Sequence, residues 1–177
     1  MKITCEQCKQ DFDATGSRGR TPKYCSNRCR TRACRARNGG IPELMKARAT
    51  WCRADGKRPI TRDGAPASST NPATWDSFGN VRAGSGDGFG IMLGDGLGCY
   101  DLDHCYDGKE LSEWGQSFIH SITEPVVYIE KSVSGDGLHV FVESPEKPGR
   151  RMRYRGGSIE FYSRQRFIRT TLNTVRG

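Results

Sequence analysis

Residues 88–143 read GFGIMLGDGLGCYDLDHCYDGKELSEWGQSFIHSITEPVVYIEKSVSGDGLHVFVE. Four runs in this stretch, GFGIML (88–93), CYDLD (99–103), VVYIEK (126–131) and HVFVE (139–143), are rich in β-branched and aromatic residues and are bounded by Gly, Asp and Pro, which predicts strands. Between the second and third, KELSEWGQSFIHSIT (109–123) sets Leu111, Trp114, Phe118, Ile119 and Ile122 at helical spacing. They form one buried helix face, with Asp107 as the N-cap. Two further strand-like runs follow, SIEFYS (158–163) and RFIRTT (166–171). Strands, one helix and then more strands predict an α+β domain with a mixed or antiparallel sheet and flanking helices.

Upstream of this domain the composition changes. Residues 55–71 form a polar connection rich in Gly, Pro, Ser and Thr. Before it, Pro42 to Cys52 suits a short helix, with Leu44, Ala47 and Trp51 as its apolar stripe. Residues 1–38 are rich in Cys and Arg, poor in aliphatics, and end in Arg28, Arg30, Arg32, Arg35 and Arg37 before the hinge-like Asn38-Gly39-Gly40. The expected organisation is a module over 1–38, a linker helix over 39–56 and a main domain over 57–177.

The 177 residues carry a net charge of +8, unevenly placed. Residues 1–63 hold sixteen Lys and Arg against six Asp and Glu, whereas 64–177 hold twelve against fourteen. A basic segment beside a near-neutral globular part suits a nucleic-acid partner, because Lys and Arg displace counterions from phosphates; a merely solvated basic face is the other reading. No apolar stretch approaches the roughly 20 residues that span a bilayer, and MKITCEQCKQ is no signal peptide. A cytosolic protein with no membrane partner is expected.

Cys5-x2-Cys8 and Cys25-x3-Cys29 are two thiolate pairs with the spacing of a tetrahedral zinc site. Four thiolates saturate Zn2+, so the site is structural, and some thirty residues with almost no core need metal to fold. Cys34 is a substitute ligand. YCSNRCRTRACRAR (24–37) resembles small bacterial and phage zinc ribbons or treble clefs whose second Cys pair opens an Arg-rich helix. Such a helix can follow a phosphate backbone; the alternative is a protein-docking module.

The main domain holds three chemical candidates. Asp101 and Asp103 stand two apart on a strand, so both carboxylates share a face; a hard cation such as Mg2+ or Mn2+ would relieve their repulsion. SVSGDGLHV (132–140) puts Ser132, Ser134, Gly135 and Gly137 before His139, as a phosphate cradle or as a plain glycine hairpin. Glu160 lies in the apolar run IEFY near Arg150, Arg151, Arg153, Arg155, Arg164, Arg166 and Arg169, either salt-bridged or a further metal ligand.

The order of these features resembles one known family. Trp75-x-Ser-Phe78, a Gly-rich strand into hydrophobic-Asp-x-Asp, a helix with a central Trp, Tyr-x-Glu-x-Ser-x-Ser-Gly-x-Gly-Leu-His (128–139) and Glu160-x-Tyr-x4-Arg-Phe resemble the primase-polymerase domain of the archaeo-eukaryotic primase superfamily, most nearly its phage and mobile-element forms. The likeness runs from Lys57 to Thr171. It implies an RRM-like core with flanking helices and DNA-templated joining of nucleoside triphosphates by a two-metal mechanism. It also implies Asp101, Asp103 and Glu160 as ligands of Mg2+ or Mn2+, and His139 as a triphosphate contact assisted by Ser134, Gly135 and Gly137. Arg166 is a candidate phosphate clamp. The zinc module and its arginines would then hold single-stranded DNA template. Many relatives add a helicase domain and a P-loop, neither of which is seen here, so a separate replicative helicase or a longer parent chain is expected. Two rivals remain: a non-catalytic nucleic-acid-binding or regulatory protein on the same fold, and an HNH-like zinc endonuclease suggested by Asp103-His104.

Overall fold

The computed structural model describes residues 2–6, 10–13, 21–27, 29–30, 40–107 and 109–175. The chain divides into two compact units, Met1–Gly40 and Ile41–Gly177. In the first, β1 (Lys2–Thr4) and β2 (Asp11–Asp13) pair antiparallel, and the buried Cys5 directly follows β1. Cys8, Cys34 and the arginines other than Arg30 in the 28–37 run lie outside the described residues.

The second unit begins with α1 (Glu43–Lys46), β3 (Trp51–Asp55), β4 (Arg58–Ile60), a 3-10 turn (Pro72–Thr74), α2 (Phe78–Val81) and β5 (Gly88–Met92). It continues through β6 (Leu97–Asp103), α3 (Glu113–Ser121), β7 (Val126–Lys131), β8 (Leu138–Glu143), β9 (Arg150–Tyr154), β10 (Gly157–Tyr162) and β11 (Phe167–Thr170). Two sheets result, of strand order β7-β8-β6-β10-β9 and β11-β5-β3-β4. All pairings between these strands are antiparallel, so of the two expected sheet types the antiparallel one holds.

Alternation along the strands gives the five-stranded sheet two dissimilar faces. Tyr100, Leu102, Leu138, Val140, Ile159 and Phe161 face the α3 side, where they pack with Phe118, Leu111, Trp114, Ile119 and Ile122. Leu97, Cys99, Tyr128 and Phe141 face the other way and form a second core with Trp51, Ile91 and Ile168 of the four-stranded sheet and with Met45 and Phe78.

Two local expectations need correction. The helix expected over 42–52 stops at Lys46, and the chain reverses into β3, an interior strand paired with β4 and β5. Ile41, Met45, Trp51 and Cys52 are buried here, while Leu44 is 49% exposed. The indole N–H of Trp51 donates to the Met45 carbonyl at 3.0 Å, which ties the strand to the helix end. Residues 41–56 are thus part of the second unit and not a free connection. The α3 cap is Ser112, whose hydroxyl accepts from Gly115 N at 3.2 Å; Asp107 instead closes its own turn by accepting from the backbone of Lys109 and Glu110.

Candidate functional site

Strand register builds the site. β6 is the middle strand, with Asp101 directly opposite His139 on β8 and directly opposite Glu160 on β10. His139 in turn faces Glu130 on β7, and Glu160 faces Arg151 on β9. One polar row, Glu130, His139, Asp101, Glu160 and Arg151, therefore crosses all five strands on the face away from α3. Asp103 starts the next step on that face, opposite Ser158, which is opposite Arg153.

A cavity of about 790 Å³ opens over this face. Asp101, Asp103, His139, Ser132 and Ser134 line it from the five-stranded sheet, and Arg166, Phe167 and Arg169 from the β11 segment, with Lys57 near β4. The space thus has acids on its floor and cations on its opposite wall. Arg166 stacks over the Tyr162 ring at 4.4 Å, which orients its guanidinium. Arg169 is engaged with Asp87 at 3.3 Å and with the Gly56 carbonyl.

The carboxylates differ in environment. Burial raises the Asp101 carboxyl above its ordinary range; Asp103 and Glu160 push the same way, while His139 and Arg166 oppose them. Such a group gains from a bound cation, as the donor set predicts. Glu160 is held below the usual range by the Tyr162 hydroxyl, which donates to it at 2.7 Å, and by the Arg151 guanidinium, which pairs with its other oxygen. His139 lies 3.8 Å from Asp101 through Nε2 and 3.1 Å from Glu130 through Nδ1.

The Ser-Gly loop is closed by its own hydrogen bonds. Ser132 N donates to Gly137 O at 2.8 Å, and Gly137 N donates to Ser132 Oγ at 3.1 Å. A Cβ at Gly137 would stand 2.7 Å from the Leu102 carbonyl oxygen, so glycine is required where the loop meets β6. Ser134 donates to Asp136, and Asp136 also pairs with His104 Nδ1 at 2.5 Å. Both bonds hold the Asp136 carboxyl below its usual range, Ser134 foremost. Ser134, Gly135, Gly137 and His139 thus belong to one hairpin at the cavity side of β7 and β8. His104, the second half of the Asp-His pair in DLDHC, is exposed and turned to Asp136.

In the first unit Cys5, Cys25 and Cys29 have ligand atoms within 4.8 Å of one another, the only such trio of Cys, His, Asp or Glu among the described residues. Cys25 and Cys29 sulfurs are 3.5 Å apart. Three converging thiols suit a soft, thiolate-binding ion such as zinc.

Asp101, Asp103, His139, Glu160 and Arg166 are each expected from the sequence; Glu130 stands in the Tyr-x-Glu-x-Ser motif without an assigned role, and the His104–Asp136 pair has no sequence signal. An acid within an apolar run, VVYIEK, was the available signal for Glu130.

No helix among the described residues is long and apolar enough to cross a membrane. No protein-family profile matches the chain. It is 32% identical over 120 residues to a protein named DNA Primase-polymerase from Nitratiruptor phage NrS-1. The match covers 62% of this chain and 16% of that relative, so the chain spans a small part of the relative's length. The likeness supports a relationship to primase-polymerases.

Proposed function

We propose that the second unit is a primase-polymerase domain that joins nucleoside triphosphates on a DNA template, and that the first is a zinc module that holds single-stranded template. The observation that carries this reading is the register of β6: Asp101 has His139 on one side and Glu160 on the other, with Asp103 next along the same face and a cationic wall across the cavity. The relative's name supports it independently. So does topology. Strand, helix, strand, strand over β6, α3, β7 and β8, with β10 returning beside β6, has the strand order of an RRM-like sheet in which the β9 hairpin stands where a second helix would be.

Asp101, Asp103 and Glu160 would hold Mg2+ or Mn2+, which neutralise phosphate charge and favour ionisation of the attacking hydroxyl when bound. Glu160 retains lone pairs beyond those used by Arg151 and Tyr162. In the reaction a terminal 3′ hydroxyl attacks the α-phosphorus of a triphosphate in line, the new phosphodiester bond forms, and the bond to the departing pyrophosphate breaks. His139, Arg166 and Lys57, which line the cavity, would donate hydrogen bonds to the β and γ phosphates and stabilise the leaving group. The Cys5, Cys25 and Cys29 thiolates, with Cys8 as fourth ligand, would hold zinc.

The test is incubation of the full chain with single-stranded DNA, nucleotides and Mn2+ or Mg2+, compared with Asp101→Ala/Asp103→Ala. Template-dependent product from the parent alone is expected. Binding without synthesis would favour the regulatory protein, and cleavage of DNA without nucleotides the endonuclease.

A further inference from the structure

Glu130 lines no part of the cavity, yet the fold spends a fully buried carboxylate on it. Removing a carboxylate from water is costly unless donors surround it. Here His139 Nδ1 lies 3.1 Å from Oε1, Thr171 N donates to both oxygens at 3.2 Å, and Leu172 N donates to Oε2 at 3.0 Å. A carboxylate offers acceptors only, so the imidazole must donate from Nδ1, and the opposite nitrogen, Nε2, faces Asp101 and the cavity; a phosphate is likewise an acceptor, so a ring that bridges Glu130 and a phosphate donates from both nitrogens.

From this geometry we infer that Glu130 is a positioning residue for His139, holding the ring so that Nε2 meets the phosphates of the incoming nucleoside triphosphate. The inference rests on the nucleotide reading of the site given above. Glu130 acts from two directions. Across the sheet it orients the histidine on β8. Through Thr171 and Leu172 it also anchors the chain immediately after β11, the strand that brings Phe167 and Arg169 to the opposite wall. One carboxylate thereby sets the histidine against the cationic side of the cavity, and an error at Glu130 would misplace both.

Glutamine at this position has a single oxygen. Turned to the Thr171 and Leu172 N–H groups, it would present its NH2 to Nδ1, which must then accept, so the ring could no longer donate from both nitrogens and would meet the phosphates without its positive charge. Glu130→Gln therefore alters His139 without touching the cavity.

The experiment measures binding of a nucleoside triphosphate and of the matching monophosphate, with Mn2+, to the full-length parent, Glu130→Gln, His139→Ala and the double variant. Expected is a weaker triphosphate affinity in both single variants, about tenfold for Glu130→Gln on the scale of lost partners behind a functional histidine. Monophosphate affinity should be little changed. In the His139→Ala background Glu130→Gln should cause no further loss, whereas a merely structural carboxylate would give independent, additive losses for both ligands and overturn the inference. Loss with His139→Ala but none with Glu130→Gln would overturn it alone. No loss with His139→Ala would remove the nucleotide reading on which it rests. Should Glu130→Gln fail to fold, nitrogen-15 NMR of the parent's His139 ring still decides: a protonated Nδ1 is expected, and a bare Nδ1 contradicts the inference.

Discussion

The row Tyr128, Phe141, Cys99 and Tyr162 and the row Glu130, His139, Asp101 and Glu160 lie two residues apart on the same face of the same sheet. The first packs against Trp51, Ile91 and Ile168 and closes the two sheets on each other. In the second, Asp101 and His139 line an open cavity. Because side chains alternate, a two-residue step keeps the face and changes only what lies opposite it. The comparison teaches that the rigid apolar row is the support on which the polar row is presented. A site built this way is held by strand register, not by loop conformation.

Altering the polar row should damage chemistry and spare the fold. Asp101→Ala/Asp103→Ala is expected to lower templated nucleotide incorporation by about a thousandfold or more, the scale of losing several kcal/mol of charge stabilisation, with an unchanged circular dichroism spectrum. Altering the apolar row should do the reverse. Phe141→Ala is expected to cost about 3–5 kcal/mol in urea unfolding, while the fraction still folded keeps the parent's nucleotide affinity. If Phe141→Ala instead weakened nucleotide binding at full folding, the two rows would not be separable.

The Cys cluster supplies a third, independent break. Metal analysis should find about one zinc per chain, lost in Cys5→Ser/Cys8→Ser together with most single-stranded DNA affinity, while the sheets stay folded. A metal-free parent that binds DNA equally well would remove the zinc module from the account.

The smallest expected effect is the most specific to Asp101. Its carboxyl is raised by burial and by the neighbouring acids, so the folded state keeps that proton to higher pH than the unfolded chain does. The resulting stability is present while Asp101 is protonated and is lost as pH rises through its folded pKa. Asp101→Asn should therefore melt above the parent at neutral pH, on a scale of roughly 2–4 °C per kcal/mol, and the gap should close on acidification. A lower Tm for Asp101→Asn at neutral pH would show that the charge is not strained in the fold.

Much of this arrangement was legible in the sequence, for physical reasons that differ by element. The strands 126–131 and 139–143 and the helix with Trp114 and Phe118 declare themselves by period, and alternation alone puts Asp101 and Asp103 on one face. β9, RRMRY, escaped notice because only Met152 and Tyr154 of its five residues are apolar. β3 was hidden by a coincidence of helical spacing that Trp51 shares with Leu44. The burial of Glu130 was not legible because its partners, Thr171 and Leu172, lie some forty residues downstream. The juxtaposition of Asp101 with His139 and Glu160 is set by pairing register, which local patterning does not encode.

The central claim is that the polar row holds a divalent cation for nucleotide chemistry. The most direct measurement is Mn2+ binding to the full chain by electron paramagnetic resonance, with and without a nucleoside triphosphate, in the parent and in Asp101→Ala/Asp103→Ala. The account predicts Mn2+ bound by the parent, more tightly when the triphosphate is present, and lost in the double variant. Equal Mn2+ binding by parent and variant would contradict it.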